Sequence, residues 1–429
     1  MTGAPDNLYE GAGIAPLCDT TVETRVTVAT TLPRRIETNV PPLPVAGRAV
    51  SVAACPITVR VAPATAIDAA LRSAWVDLAD DAAEPNSFAE PWFVEPGLRG
   101  FEDAQARLVQ LWSGSRLIGI LPLTIAARYG RVPVRHVQNW KHANSFLGVP
   151  LIRRGFETRF WAEVLTSLDA ADWARGFLHL DGLVEGGPAH AGLAAAAAAS
   201  GRPCDTVYRD VRALLASPLS PEAYYADTVR KKKRKELGRL QRRLADLGAV
   251  TTATLTENAD LAAWSDAFLA LEHDGWKGRA GSSLASAPET ANFFRKALAG
   301  AYAGGRLEFR RMDLDGKPIA MLVNFLCPPG SFSFKTAFDE AYAKYSPGVL
   351  IQLDNLQLMQ RPDIDWMDSC AAQDHPMIDS LWGERRAVVR VSVKLGGVKR
   401  GVAFKLARGL EKASARWREM RAGRQGETA

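Results

Sequence analysis

Two histidines, and the acids beside one of them, are the first candidates in this sequence for moving protons. Glu272-His273-Asp274-Gly275-Trp276-Lys277-Gly278 stands where a helical pattern gives way to a glycine-rich loop. An imidazole accepts a proton from an attacking amine near neutral pH, and a carboxylate does so where its surroundings raise its pKa. His273 and Glu272 are therefore the leading proton acceptors, with a surface helix end as the plain alternative. The glycines permit a moving flap, on which Trp276 and Lys277 are candidate substrate contacts. The other histidine lies in Trp140-Lys141-His142-Ala143-Asn144-Ser145-Phe146-Leu147-Gly148. Aromatic and polar loops of this kind line binding sites on rigid scaffolds. Trp140, Asn144 and Phe146 are candidate substrate contacts there, and His142 is a reserve proton acceptor.

A third segment runs from Asp339 through Tyr345-Ser346-Pro347-Gly348 into the apolar stretch that begins at Val349. It follows a strand pattern and opens a helical one. A helix N-terminus carries unpaired N–H groups and partial positive charge, which suits a phosphate. Pro347 fits the first turn because its missing donor is no loss there, and Gly348 permits close backbone approach. A plain proline-started helix has the same sequence. No metal site is expected, since neither HExxH nor a clustered His/Asp set occurs. GxSxG, the Walker lysine loop and GxGxxG are missing too, which removes the main support for lipase, kinase and dinucleotide-dependent readings.

The elements that must hold these segments read as α/β. A strand over 51–61 and a helix over 64–78 come first, then strands over 107–111 and 117–123, where Pro122 marks an irregularity. Helices over 156–167 and 189–200 flank a short strand at 178–180. The longest helical pattern is 224–247, with Leu237, Leu240, Leu244 and Leu247 on one stripe. A strand over 249–255 and helices over 259–273 and 290–303 follow. Strands over 306–314, 317–326 and 331–337 come next, the first two joined at Asp315–Gly316 by a type I′ turn. A helix over 349–359 closes the series. Residues 1–45, rich in Thr, Pro, Ala and Gly, read as a leader.

The 429 residues carry a net charge of +6 that is unevenly spread. From Arg230 to Arg243 there are nine Lys/Arg and one acid, and from Glu384 onward thirteen Lys/Arg and four Glu. The remainder is acidic, so the surface field is directed. No nucleic-acid-binding pattern accompanies the basic runs. Peripheral contact with an anionic membrane, through the 230–243 segment and the C-terminal tail, is the expectation they support. The apolar stretch 117–127 falls short of the roughly 20 residues of a spanning helix, and no secretory signal is visible. Five cysteines without CxxC spacing exclude a disulfide framework. A cytoplasmic protein, peripheral at the inner face of the plasma membrane, is the expected setting.

The sequence resembles the large bacterial branch of the GNAT acyltransferase superfamily. That branch comprises cellulose-biosynthesis-type acetyltransferases and is related to Fem-type transferases and to bacterial ceramide synthase-like enzymes. The resemblance rests on residues 230–247, 271–280, 316–324, 367–371, 381–386 and above all 332–348, FSFKTAFDEAYAKYSPG. It extends more loosely to 117–122 and 139–151. It implies an α+β fold of tandem GNAT-like domains, each a mixed central sheet flanked by helices, at 46–215 and 216–388, with a basic extension at 389–429. It implies acyl-CoA or acetyl-CoA as cosubstrate, with Tyr345, Ser346, Pro347, Gly348 and Val349 at the pyrophosphate helix. The usual glutamine/arginine-x-x-glycine-x-glycine loop is replaced here by Tyr345-Ser346-Pro347-Gly348. Lys335 and Tyr345 are expected to orient donor or acceptor, and Asp339 is a reserve proton acceptor beside His273, Glu272 and His142. The implied activity is N-acylation of an envelope-related amine, leaning to a long-chain sphingoid type. Acetylation of an envelope polysaccharide or amino sugar, and a noncatalytic scaffold, remain as alternatives.

Overall fold

Apolar residues spaced by four and three make the first helix of the computed structural model. Leu71, Trp75 and Leu78 are buried along one stripe, and Asp68 accepts the Leu71 N–H at 2.7 Å to cap it. The structure describes residues 56–426 except Glu102, with side chains as far as 413. The expected leader over 1–45, with Cys18, and Cys55 as well, lies outside the described residues.

The first half runs β1 (Ile57–Pro63), α1 (Ala69–Asp80), α2 (Pro91–Gly100), β2 (Arg107–Ser113), β3 (Arg116–Ala126) and β4 (His136–Asn139). It continues with β5 (Leu151–Ile152), α3 (Glu157–Ala170), β6 (Leu178–Val184), α4 (Pro188–Ala199) and β7 (Cys204–Leu215). The second half opens with α5 (Pro221–Thr228), α6 (Lys231–Ala245), β8 (Val250–Thr254), α7 (Leu261–Asp274), α8 (Trp276–Arg279) and α9 (Pro288–Ala303). Then come β9 (Leu307–Leu314), β10 (Lys317–Cys327), β11 (Gly330–Phe338), α10 (Pro347–Asp354), β12 (Trp366–Asp368), β13 (Glu384–Val393) and α11 (Val398–Gly426).

These strands form one mixed sheet of thirteen, in the order β1-β2-β3-β4-β6-β13-β7-β12-β11-β10-β9-β8, with β5 on the side of β3. The α+β class is as the sequence indicates, but separate central sheets for two tandem domains are not what is seen. One continuous sheet runs through a single compact unit, Ala54–Ala429. Each half contributes an antiparallel meander, β1 to β4 and β8 to β11, whose last strand pairs in parallel with the next, β6 or β12. The two central strands are exchanged between halves. β13 lies against β6 of the first half, and β7 against β12 of the second.

Strand alternation divides the core between the two faces. Met321, Val323 and Phe325 of β10 join Phe268, Phe293 and Phe294 of α7 and α9, whereas Ala320 and Leu322 pack with Leu350 and Ile351 of α10. A buried amide chain fixes α10 on the sheet. Asn324 Nδ2 donates to Asn355 Oδ1 at 2.8 Å, and Gln352 Nε2 donates to Ser333 Oγ at 3.2 Å and Thr336 Oγ1 at 3.1 Å. Asn355→Ala leaves the Asn324 amide unpaired in the core. Urea unfolding is expected to show a loss of about 1–3 kcal/mol, with a milder loss when both asparagines become leucine.

Several elements differ from the sequence reading. The helix expected over 224–247 is two helices, because Val229 and Arg230 adopt extended backbone, with Val229 buried in the core. Arg234 Nη1 caps the break by donating to the Val229 carbonyl at 2.7 Å. Pro122 pairs within β3, and the irregularity falls at Leu111/Trp112 instead. The basic stretch after Glu384 is not all tail, since β13 is a central strand with Val389, Val391 and Val393 buried.

Candidate active site

A one-residue irregularity sets the geometry of β11. Val323 opposes Lys335 and the adjacent Asn324 opposes Ser333, so Phe334 is an extra residue bulged from the ladder. Bulges re-aim side chains and release backbone groups from pairing. On its other edge β11 meets β12 only at Gly330, Ser331 and Phe332, and beyond Phe332 the two strands part. Lys335 lies just past this fork. Its Nζ is 5.6 Å from the Phe146 ring centre and 5.4 Å from that of Phe334, with no hydrogen-bond or ion-pair partner among the described residues. Burial, reinforced by the neighbouring Lys277 charge, lowers its pKa to about 8 despite the opposing field of Glu272.

The equivalent fork in the first half is stitched shut. There β4 meets β6 at Val137 and Gln138 only, yet the next residue, Asn139, bridges the gap. Its Nδ2 donates to the carbonyls of Asp181 at 2.9 Å and Gly148 at 3.1 Å, and its Oδ1 accepts the Asp181 N–H at 2.9 Å. Gly148 lies so close that a Cβ would stand 1.9 Å from the Asp181 carbonyl oxygen. The two forks are thus alike in topology and different in chemistry.

Several of the residues singled out by sequence gather around Lys335. Glu272, at the end of α7, is buried, and its Oε1 pairs with Lys277 Nζ at 2.8 Å while Oε2 accepts the Leu284 N–H at 2.8 Å. Burial pushes this carboxyl up, but Lys277, Lys335 and the Leu284 amide outweigh it and hold the pKa below the usual range. The raised pKa that a proton acceptor needs is therefore not what its surroundings produce. Phe146 reaches Lys335 from the loop after β4. Its carbonyl accepts from Arg212 Nη1 at 2.8 Å, which ties the loop to the second half.

His142 is buried in a box of Phe93, Phe101, Trp140 and Phe293 rings, 4.6 to 5.4 Å away between centres. Burial, aided by Lys335 and Lys141, lowers its pKa to about 3 and keeps it neutral. Its Nδ1 accepts the Asn144 N–H at 3.3 Å, and its Nε2 is buried without a partner among the described residues.

The other sequence candidates lie elsewhere or serve the frame. His273 is exposed, with Nδ1 2.9 Å from Ser283 Oγ. Trp276 is 56% exposed, and its backbone N–H donates to Glu340 Oε1 at 2.6 Å. Arg279 pairs with the other Glu340 oxygen at 2.6 Å, so the loop expected to be a moving flap is clasped to the turn before α10. Asp339 caps that turn by accepting the Ala341 N–H at 3.0 Å and pairs with Lys317 at 3.3 Å. Ser346 takes a left-handed conformation (φ 54°) and starts α10, with Pro347, Gly348 and Val349 in its first turn. Tyr345 is buried beside it, under Arg243 of α6 and Lys344, at 5.6 and 5.1 Å from the ring centre.

Sequence reasoning missed the supports behind Lys335. Asp368, fully buried, pairs with Arg212 Nε at 2.7 Å and Arg386 Nη1 at 3.0 Å, and its Oδ1 accepts the Cys370 N–H at 2.9 Å. Cys370 is itself left-handed (φ 54°), a costly conformation for this residue type. Its buried thiol is held well above the usual range by burial and by Asp368. Among the described residues no group of three or more His, Cys, Asp or Glu side chains is arranged to hold a metal ion.

Residues 231–375, which contain Lys335, its fork and α10, match the family model described as an acetyltransferase (GNAT) domain. The crystal structure of FemX has a similar fold, with a TM-score of 0.51 at 8% identity, over 78% of this chain and 98% of that one. A tandem GNAT protein from the clavulanic acid biosynthesis pathway aligns at 19% identity, over 80% of this chain and all of the other, with a TM-score of 0.42. No curated protein matches the chain by sequence. The segment that builds the β11 fork is thus, by its family match, an acetyltransferase (GNAT) domain.

Proposed function

We propose that the protein transfers a short acyl group from a coenzyme A thioester to a small polar amine, with Lys335 as the proton acceptor. At the coarser level it is a GNAT-fold acyl- or acetyltransferase acting on an amine acceptor. The observation that carries the finer reading is the Lys335 amine. It is half-buried, lacks a polar partner among the described residues, and has a pKa of about 8 beside the fork.

The acceptor nitrogen attacks the thioester carbonyl, forming the C–N bond while the carbonyl oxygen becomes an oxyanion. Backbone N–H groups freed at the Phe334 bulge are suited to polarise that oxygen. Neutral Lys335 takes the proton that the nitrogen sheds. The C–S bond breaks, and the ammonium of Lys335 returns the proton to the departing thiolate. The first turn of α10, with Arg243 and Lys344 beside it, suits the donor's phosphates. Glu272, held as a carboxylate, pairs with Lys277, whose charge helps to keep the Lys335 pKa low.

Aromatic packing supports a short acyl group over the long-chain one. Phe88 stacks edge-on to Phe93, Phe146 and Phe332, and Phe325 lies 4.5 Å from Phe334, so the two rings beside Lys335, Phe146 and Phe334, are packed into an aromatic cluster. An amino sugar of the cell envelope is the acceptor we propose.

The test is thiol release by the purified protein with acetyl-CoA and hexadecanoyl-CoA, each with glucosamine or sphinganine. Acetyl-CoA with the amino sugar is expected to react. The rate is expected to rise as pH passes through about 8, where Lys335 loses its proton. Faster turnover with hexadecanoyl-CoA and sphinganine overturns the short-chain reading. No thioester binding by calorimetry overturns acyl transfer and favours a scaffold.

A further inference from the structure

The last helix presents two faces of different character. Gly401, Phe404 and Ala407 of α11 are buried, with Phe404 and Ala407 packed against Val134 and Phe177. Arg400 holds the start of the helix by donating to the carbonyls of Asp169 at 2.9 Å and Ala171 at 2.8 Å. The outer face carries Val398, Val402 and Leu406, which are 87%, 62% and 49% exposed and stand one turn apart. Lys399, Lys405 and Lys412 flank this stripe, exposed and without an acidic partner among the described residues. The helix's nearby acid, Glu411, is taken by Arg408 and the Tyr129 hydroxyl. In the sequence the same spacing continues through Leu410, Ala413, Trp417 and Met420, with Arg416, Arg418, Arg421 and Arg424 between and beside them.

An exposed apolar stripe bordered by cations is costly in water and suits the boundary between lipid headgroups and acyl chains. There the stripe enters the apolar layer and the lysines meet anionic headgroups. A protein partner with an acidic groove would need its own apolar floor; a bilayer supplies both without shape matching. Among the described residues no helix is long and apolar enough to cross a membrane, so the contact lies along the surface. We infer that α11 is a docking surface for an anionic lipid bilayer, through Val398, Val402 and Leu406 and their flanking lysines. This goes beyond the transfer reaction and does not depend on it.

Flotation of the full-length protein with phosphatidylglycerol/phosphatidylcholine vesicles, compared with phosphatidylcholine alone, tests it. Binding is expected to the anionic vesicles and to fall as salt rises. Val402→Asp with Leu406→Asp is expected to release the protein into the soluble fraction. Each of Lys399→Gln, Lys405→Gln and Lys412→Gln is expected to weaken partition by about five-fold. These positions face away from the core, so thermal midpoint and thiol release with a soluble acceptor stay unchanged and report on folding and catalysis separately. Equal binding to neutral vesicles, or anionic binding that survives both aspartates, overturns the proposal. So does self-association in solution that the aspartates abolish while no vesicle binding is seen.

Discussion

Lys335→Met is expected to lower turnover by about 100- to 10,000-fold while leaving the protein at least as stable as the parent. The loss follows from removing the group that takes the attacking amine's proton, a step of that size in general acid–base catalysis. The stability result follows from the sign of the pKa shift. In the folded protein Lys335 holds its proton with a pKa of about 8, below the ordinary lysine value, so folding at neutral pH works against a charge that burial disfavours. That cost is fully present below about pH 8 and fades as pH rises toward the unfolded value. Methionine fills similar space without a charge, so the variant loses this pH dependence of stability. Two measurements decide: kcat and KM by thiol release, and urea midpoints at pH 7 and pH 10. A purely structural role for Lys335 predicts the reverse pattern, with stability falling and the pH profile of the residual rate unchanged.

Asp368→Asn is expected to be the most destabilising conservative change near the site, by about 3–5 kcal/mol. Asp368 is completely buried, and its two oxygens hold Arg212 and Arg386. An amide leaves both guanidiniums without their counter-charge in the interior. Burial alone would raise the Asp368 pKa, but Arg212 and Arg386 pull it below the usual range. The ion pairs therefore stabilise the fold at all pH values above the unfolded carboxyl's pKa, and this is lost as pH falls through the lower, folded value. Asp368→Asn should remove that acid limb from a plot of stability against pH. Activity is expected to fall as well, because the same carboxylate fixes Cys370 and, through Arg212, the carbonyl of Phe146 beside Lys335. Denaturant unfolding from pH 3 to pH 8, with thiol release on the folded fraction, checks both effects.

What the sequence made legible was local. Asp315 and Gly316 form the turn between β9 and β10 with φ of 50° and 79°, as their residue types require. The stripe of Leu237, Leu240 and Leu244 identified α6, yet nothing nearby signalled the break at Val229, which is set by burial against distant strands. β7 and β13 escaped notice because their arginines, among them Arg209, Arg212, Arg385 and Arg390, interrupt the apolar alternation. Within the site, the resemblance marks Lys335 as a donor- or acceptor-orienting residue, while its lack of a polar partner among the described residues has no local trace in the sequence. Arg212 and Asp368 are 156 residues apart, a pairing with no local trace. The histidines drew attention as the usual titrating groups, but exposure of His273 and enclosure of His142 depend on tertiary packing.

The exchange of β7 and β13 has a bearing on how the chain assembles. As the polypeptide leaves the ribosome, β6 has an open edge until residues Glu384–Val393 emerge some two hundred residues later. The first half thus cannot complete its sheet before nearly all of the second has been made. The reverse debt is met early, because β7 is already present when β12 arrives. A fragment restricted to residues 231–375 would lack both exchanged strands and leave the β12 edge bare, a template for aggregation. The two halves are therefore one cooperative unit by topology, and a circular permutant opened between β7 and α5 would keep every pairing while changing which edge waits.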